Sequence, residues 1–144
     1  MKLSRKLFSV LFLSCLFTVV SSVKAEIVVI TNKATKLHGI SLDEVGKLYL
    51  GQNKSFSTGQ RVTVADQVTG SEIRQKFYKK VLNMTEKELS RYWAKRKFTR
   101  KFKSPKVISG DLAIKQWVAL TQNSLSYIDG KSLDGSVKVL LILP

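Results

Sequence analysis

Cysteine is almost missing from this 144-residue chain, and the single one, Cys15, lies inside an apolar N-terminal run. Beyond that run there is no disulfide, no thiol nucleophile and no thiolate metal site. The only histidine, His38, stands beside Gly39 in a polar stretch. One imidazole without thiolates or a carboxylate cluster makes no metal site, and no serine in a nucleophile-elbow pattern is present to form a triad. Acids are scarce, ten Asp and Glu against 25 Lys and Arg, and no pair of them stands out for general acid–base work. Glycine-rich dinucleotide and nucleotide loops are absent, as are repeats, low-complexity tracts and any dividing linker. The expectation is a non-enzymatic protein with no catalytic residues, no metal and no cofactor.

Three basic residues, Lys2, Arg5 and Lys6, open the chain, residues 7–20 are apolar, and Val23-Lys24-Ala25 offers a small-residue cleavage site. The apolar run is too short for a comfortable membrane span. Residues 1–25 therefore read as a signal peptide cut after Ala25, and residues 26–144 as one domain with one core. The alternative, lipoprotein processing at Cys15, expects a Leu-like residue where Phe12 stands and would leave an apolar tail on the product. An exported domain without disulfides must rely on its apolar core, which fits the periplasm of a Gram-negative bacterium.

Taking the four basic residues Lys2, Arg5, Lys6 and Lys24 away from the total of +15 leaves a mature charge of +11. Such a balance attracts anions and makes association sensitive to salt. The basic residues concentrate in Lys95, Arg96, Lys97, Arg100, Lys101 and Lys103, interleaved with Phe98 and Phe102. Nucleic-acid binders use such mixtures, but here there is no zinc pattern, RNA-binding aromatic signature or obvious recognition helix, and the signal exports the chain. The partner expected for this surface is an envelope or membrane component, not a nucleic acid.

Along the mature chain, residues 26–32 (EIVVITN) read as a buried β-strand. Ser41 and Glu44 form a capping box for a helix that Gly51 stops. A strand over residues 61–66 runs into the turn Thr69-Gly70-Ser71 and then a helix ending near Leu82. Thr85 with Glu88 forms a second capping box, with Leu89, Tyr92 and Trp93 as a core stripe. Val107-Ile108 reads as a short extended piece after Pro105, and Ser109 or Asp111 starts a helix carrying Ile114, Trp117, Val118 and Thr121 on one face. Residues 124–129 and 137–143 read as strands. Alternating strands and helices predict an α/β domain, a central mixed sheet flanked by helices.

The strand–TGS–helix unit is the candidate site. The first helical N–H groups lack intrahelical partners, the macrodipole is positive there, and the hydroxyls of Thr69 and Ser71 add donors, which together suit a tetrahedral anion. Gly70 permits close backbone approach or positive φ. Arg74, one turn further on, could complete the charge. The plainer alternative is that Ser71 only caps the helix and Arg74 is a solvated helix residue.

Taken in order, IVVITN, ISLDEVGKLYLGQNKSF, VTVADQVTGSEIRQKFYKKVL, SRYWAKRKF, SPKVISGDLAIKQWVALTQNSLSYID and SVKVLLI resemble small stand-alone relatives of the periplasmic phosphate-binding component of ABC transporters. The most specific parts are LDEVGKLYLGQNKSF and NSLSYID, the latter similar to the family's P-G-A-I-G-Y-V. The resemblance implies one lobe of a two-lobed periplasmic-binding-protein fold that closes on phosphate. It places the family's Ser-Gly-Thr on Thr69-Gly70-Ser71 and its Arg on Ala65, where the guanidinium is missing. Arg74 is then the candidate replacement, and Asp66 the candidate acceptor for a protonated phosphate. The implied partners are a small oxyanion such as phosphate and a transporter or sensor.

Overall fold

The computed structural model describes residues 26–99 and 103–144; the expected signal peptide over residues 1–25, Cys15 within it, and Arg100, Lys101 and Phe102 of the basic segment lie outside the described residues. Five strands form one mixed sheet: β1 (Ile27–Thr31), β2 (Thr63–Asp66), β3 (Lys106–Val107), β4 (Ser124–Asp129) and β5 (Lys138–Leu143), in the order β3-β2-β4-β1-β5. β2 runs parallel to β3 and β4, whereas β1 is antiparallel to both β4 and β5. Every residue of β1 is buried, as its uninterrupted apolar run requires of a central strand covered on both faces.

The alternation along β1 assigns the layers. Ile27 and Val29 pack with the helices α1 (Leu42–Tyr49), α2 (Glu72–Leu82) and α3 (Glu86–Arg96). Val28 and Ile30 pack on the opposite face with Ile114 and Val118 of α4 (Asp111–Leu120). The result is a three-layer α/β domain, in line with the expected mixed sheet and flanking helices.

Local capping accounts for two of the four described α-helix starts. Thr85 and Glu88 make both bonds of the capping box at α3. Ser41 accepts from the Glu44 amide at α1, but the Glu44 carboxylate turns away to the Ser57 amide at 2.8 Å, so this box is only half closed. α4 begins at Asp111, one of the two expected starts, after Gly110 at φ 86°, which offers no side-chain cap. β3 starts one residue earlier than expected, at Lys106 directly after Pro105, because parallel pairing with Ala65 and Asp66 sets its register. Among the described residues no helix is long and apolar enough to cross a membrane.

Candidate oxyanion site

β2 ends at Asp66, residues 67–71 turn, and α2 begins at Glu72. Gly70 adopts φ +84°, and an added Cβ would meet nothing within 4 Å. Thr69 and Gly70 are exposed. The Ser71 amide donates to the Val68 carbonyl at 3.2 Å, closing the turn, and the Ser71 carbonyl accepts the first helical bond, from Gln75, at 3.1 Å. The Gln75 side chain also donates to the Gly70 carbonyl at 3.1 Å. Ser71 has the extended backbone of an N-cap but makes no side-chain capping bond, and its Oγ is buried without a hydrogen-bond partner. Among the described residues the amides of Glu72, Ile73 and Arg74 find no acceptor, so the first turn of α2 keeps the donors that a helix start always leaves over.

Arg74 and Asp66 are placed differently from the sequence expectation. Neither side chain lines the turn; they bind each other beneath it. Asp66, 2% exposed, accepts from Arg74 Nε at 3.0 Å, from the Tyr78 hydroxyl at 2.7 Å, from the Tyr127 hydroxyl at 2.6 Å and from the Gln67 amide at 2.8 Å. Arg74, 8% exposed, spends its Nη1 on Glu86 at the start of α3 and stacks over the Tyr78 ring at 5.1 Å. The guanidinium goes inward because β2 ends with a carboxylate aimed at the α2 face, where an unpaired buried charge would be far costlier than the pair. Burial works against the Arg74 cation, but Asp66 and Glu86 outweigh it and hold the guanidinium protonated more firmly than usual.

The pair sits in an aromatic bed. Phe77 and Tyr127 stack at 3.7 Å with planes 3° apart, and Tyr49 closes on Phe77 at 4.6 Å. The Tyr49 hydroxyl donates to the Ala65 carbonyl at 2.8 Å, which Ser126 Oγ also reaches at 3.1 Å. Burial, followed by the nearby Asp66 charge, pushes the phenols of Tyr49, Tyr78 and Tyr127 well above their ordinary range.

Sequence reasoning missed Tyr78, Tyr127, Gln67 and Glu86. A signal existed for Tyr127: alternation along β4 puts it with Leu125 in the layer of Val29. Glu86 carried no such signal, since its role depends on how α3 folds back on α2. His38 is exposed, and no cluster of metal-ligating side chains exists among the described residues.

The surroundings of the α2 start are more acidic than the whole-chain charge implies. A cavity of about 340 Å³ is lined by Glu26, Ile27, Glu72, Ile73, Lys76, Asp111 and Asp129. Lys76 neutralises Glu72 at 2.5 Å. Asp111 is engaged by Gln67 Nε2 at 2.8 Å and by the Asp129 amide at 3.1 Å, which ties the start of α4 to the ends of β2 and β4.

No family model matches the sequence, and no curated protein matches it. Solved structures do match. A protein from Clostridium perfringens, assigned as a phosphate ABC transporter substrate-binding protein and solved with bound phosphate, superposes with a TM-score of 0.64 at 19% identity over 81% of this chain and 44% of its own. An ABC-type phosphate transport receptor from Vibrio cholerae gives 0.62 at 17% identity, covering 81% of this chain and 45% of the receptor. PstS from Borrelia burgdorferi gives 0.61 at 16%, covering 81% and 46%. The chain thus shares the fold of these proteins while spanning under half their length, as the expected single lobe does.

Proposed function

We propose that the protein is a periplasmic, non-enzymatic binding protein for phosphate or a related oxyanion, working as an accessory to an ABC transporter or a sensor. The observation that carries this reading is the start of α2: three amides without acceptors and a buried, unpartnered Ser71 hydroxyl behind an exposed Thr69-Gly70 turn. The fold shared with phosphate-binding proteins supports it. In this reading Thr69, Gly70 and Ser71 meet the anion and Arg74 contributes its backbone amide. The Asp66–Arg74 pair acts from below, fixing the end of β2 relative to α2.

With the Arg74 guanidinium turned inward to Asp66 and Glu86, and with no opposing lobe among the described residues, the site is weak. Hydrogen bonds to a charged ligand contribute about 1.5–3 kcal/mol each, and solvent screens an open half-site. Binding in the millimolar range, about −4 kcal/mol, follows. The nearby carboxylates repel a bare dianion but accept an O–H, so protonated phosphate should bind better than sulfate.

Ser71→Asp tests the reading. Aspartate is a favoured N-cap residue and complements the helix dipole, so it should repel the anion, with an unchanged circular dichroism spectrum showing that the fold is kept. The wild type should broaden the ³¹P resonance of orthophosphate and the variant should not; equal broadening by both would place binding elsewhere and remove the claim. A second reading, docking to an envelope protein through the surface of Lys95, Arg96, Lys97 and Lys103, is favoured by the internal use of the Arg74 charge. It predicts association that survives Ser71→Asp and fails on charge reversal of those residues.

A further inference from the structure

Two cavities lie beside the segment that leads into β3, the first also lined by Thr63 and Val64 at the start of β2. One, of about 440 Å³, is lined by residues that include Lys54, Arg61, Lys103 and Lys106. The other, of about 590 Å³, is lined by residues that include Arg96, Lys97 and Lys103, with Trp93 as its aromatic wall. Both include Lys103 and Ser104, so the two cavities adjoin at that segment. Neither lining contains a carboxylate. That segregation is local: elsewhere Lys47, Lys76 and Lys115 each hold an acid within 2.6 Å. Among the described residues no acid pairs with Lys54, Arg61, Lys103 or Lys106.

We propose that these adjoining cavities act as one groove for a linear anionic glycan, threading phosphate or sulfate groups past Lys54, Arg61 and Lys103 toward Trp93; the Lys106 ammonium lies over the Trp117 ring on the α4 side of the sheet and takes no part. A single small anion engages only part of the groove, whereas a chain spanning both cavities gains its second contact at high effective concentration. The concave, acid-free lining matches an extended chain better than a flat bilayer, and an indole edge beside cations suits a ring with an apolar face and charged substituents. The groove lies away from Thr69-Gly70-Ser71, so it does not depend on the oxyanion site.

Fluorescence anisotropy with a labelled heparin oligosaccharide tests it, with orthophosphate and vesicles of equal parts phosphatidylglycerol and phosphatidylcholine as competitors. The groove variant is Lys54→Gln, Arg61→Gln and Lys103→Gln together; the control, with the same charge change, is Lys79→Gln, Lys87→Gln and Lys131→Gln. The groove variant should lose about tenfold or more in affinity, and its slope of log K against log salt should fall by about one per lost contact. The control should stay within about twofold, and orthophosphate should not compete at matched ionic strength. If the triple variant fails to fold, Arg61→Gln alone carries the same prediction, with a slope change of about one. Equal losses in both triple variants, no binding by the wild type, or vesicles outcompeting the oligosaccharide would each overturn the proposal.

Discussion

Asp66 organises the interior below the candidate site. Its carboxylate takes a guanidinium, two phenols and an amide, all with donor–acceptor distances of 3.0 Å or less. Asp66→Asn leaves Arg74 buried with half its compensation, and removing one partner of a buried pair costs about 3–5 kcal/mol. Urea unfolding should register that loss; a change within experimental error would show that the pair is dispensable. Tyr127→Phe removes one hydroxyl to a charged acceptor and should cost about 1.5–3 kcal/mol by the same measurement. The sequence pointed to Asp66 and Arg74 as contacts for an oxyanion, not to the pair that they make with each other. Their separation of eight residues, spanning a strand end, a turn and a helix turn, hides a contact that only the packing of α2 on the sheet creates.

The phenols give a pH signature. Tyr49, Tyr78 and Tyr127 have folded pKa values raised above the ordinary 10.0. A group raised on folding contributes stability that is fully present below the unfolded value and is lost as pH rises above it. Unfolding free energy should therefore be insensitive to these groups below pH 10 and fall above it, by about 1.4 kcal/mol per pH unit for each tyrosine involved. Stability unchanged through the alkaline range would contradict their buried, neutral state.

At the scale of elements, α3 is the helix that local sequence specifies most completely, because Thr85 and Glu88 satisfy each other's backbone donors. Thr85→Ala should destabilise by about 1 kcal/mol, and it should also loosen Glu86, which holds Arg74 from the first turn of α3. Thermal melts of Thr85→Ala, of Glu86→Gln and of the two combined should show non-additive losses; strict additivity would mean that cap and pair are independent. Capping boxes and strand alternation are legible in sequence because they depend on neighbours a few residues apart. The missing cap at α4 and the early start of β3 were not legible, since a positive-φ glycine and a cross-strand register decide them.

For the whole molecule, charge and fold point in different directions. The chain is strongly basic, yet the cavity at the start of α2 carries four of its ten acids, Glu26, Glu72, Asp111 and Asp129. Net charge read from composition could not show this separation; the topology creates it by bringing β1, β4, α2 and α4 to one end of the sheet. A high net charge also strains the compact state through self-repulsion. The melting temperature should rise from low salt to about half-molar sodium chloride as the repulsion is screened. A fall instead would mean that surface ion pairs outweigh repulsion.

Amide-resolved NMR of the protein titrated with phosphate reaches the central claim most directly, because it reads the backbone donors themselves. Saturable shifts at millimolar phosphate, centred on Gly70, Ser71, Glu72, Ile73 and Arg74, are the predicted result. Shifts confined to the lysine-lined surfaces, or none at all, would leave the protein with the fold of a phosphate-binding lobe and without its ligand.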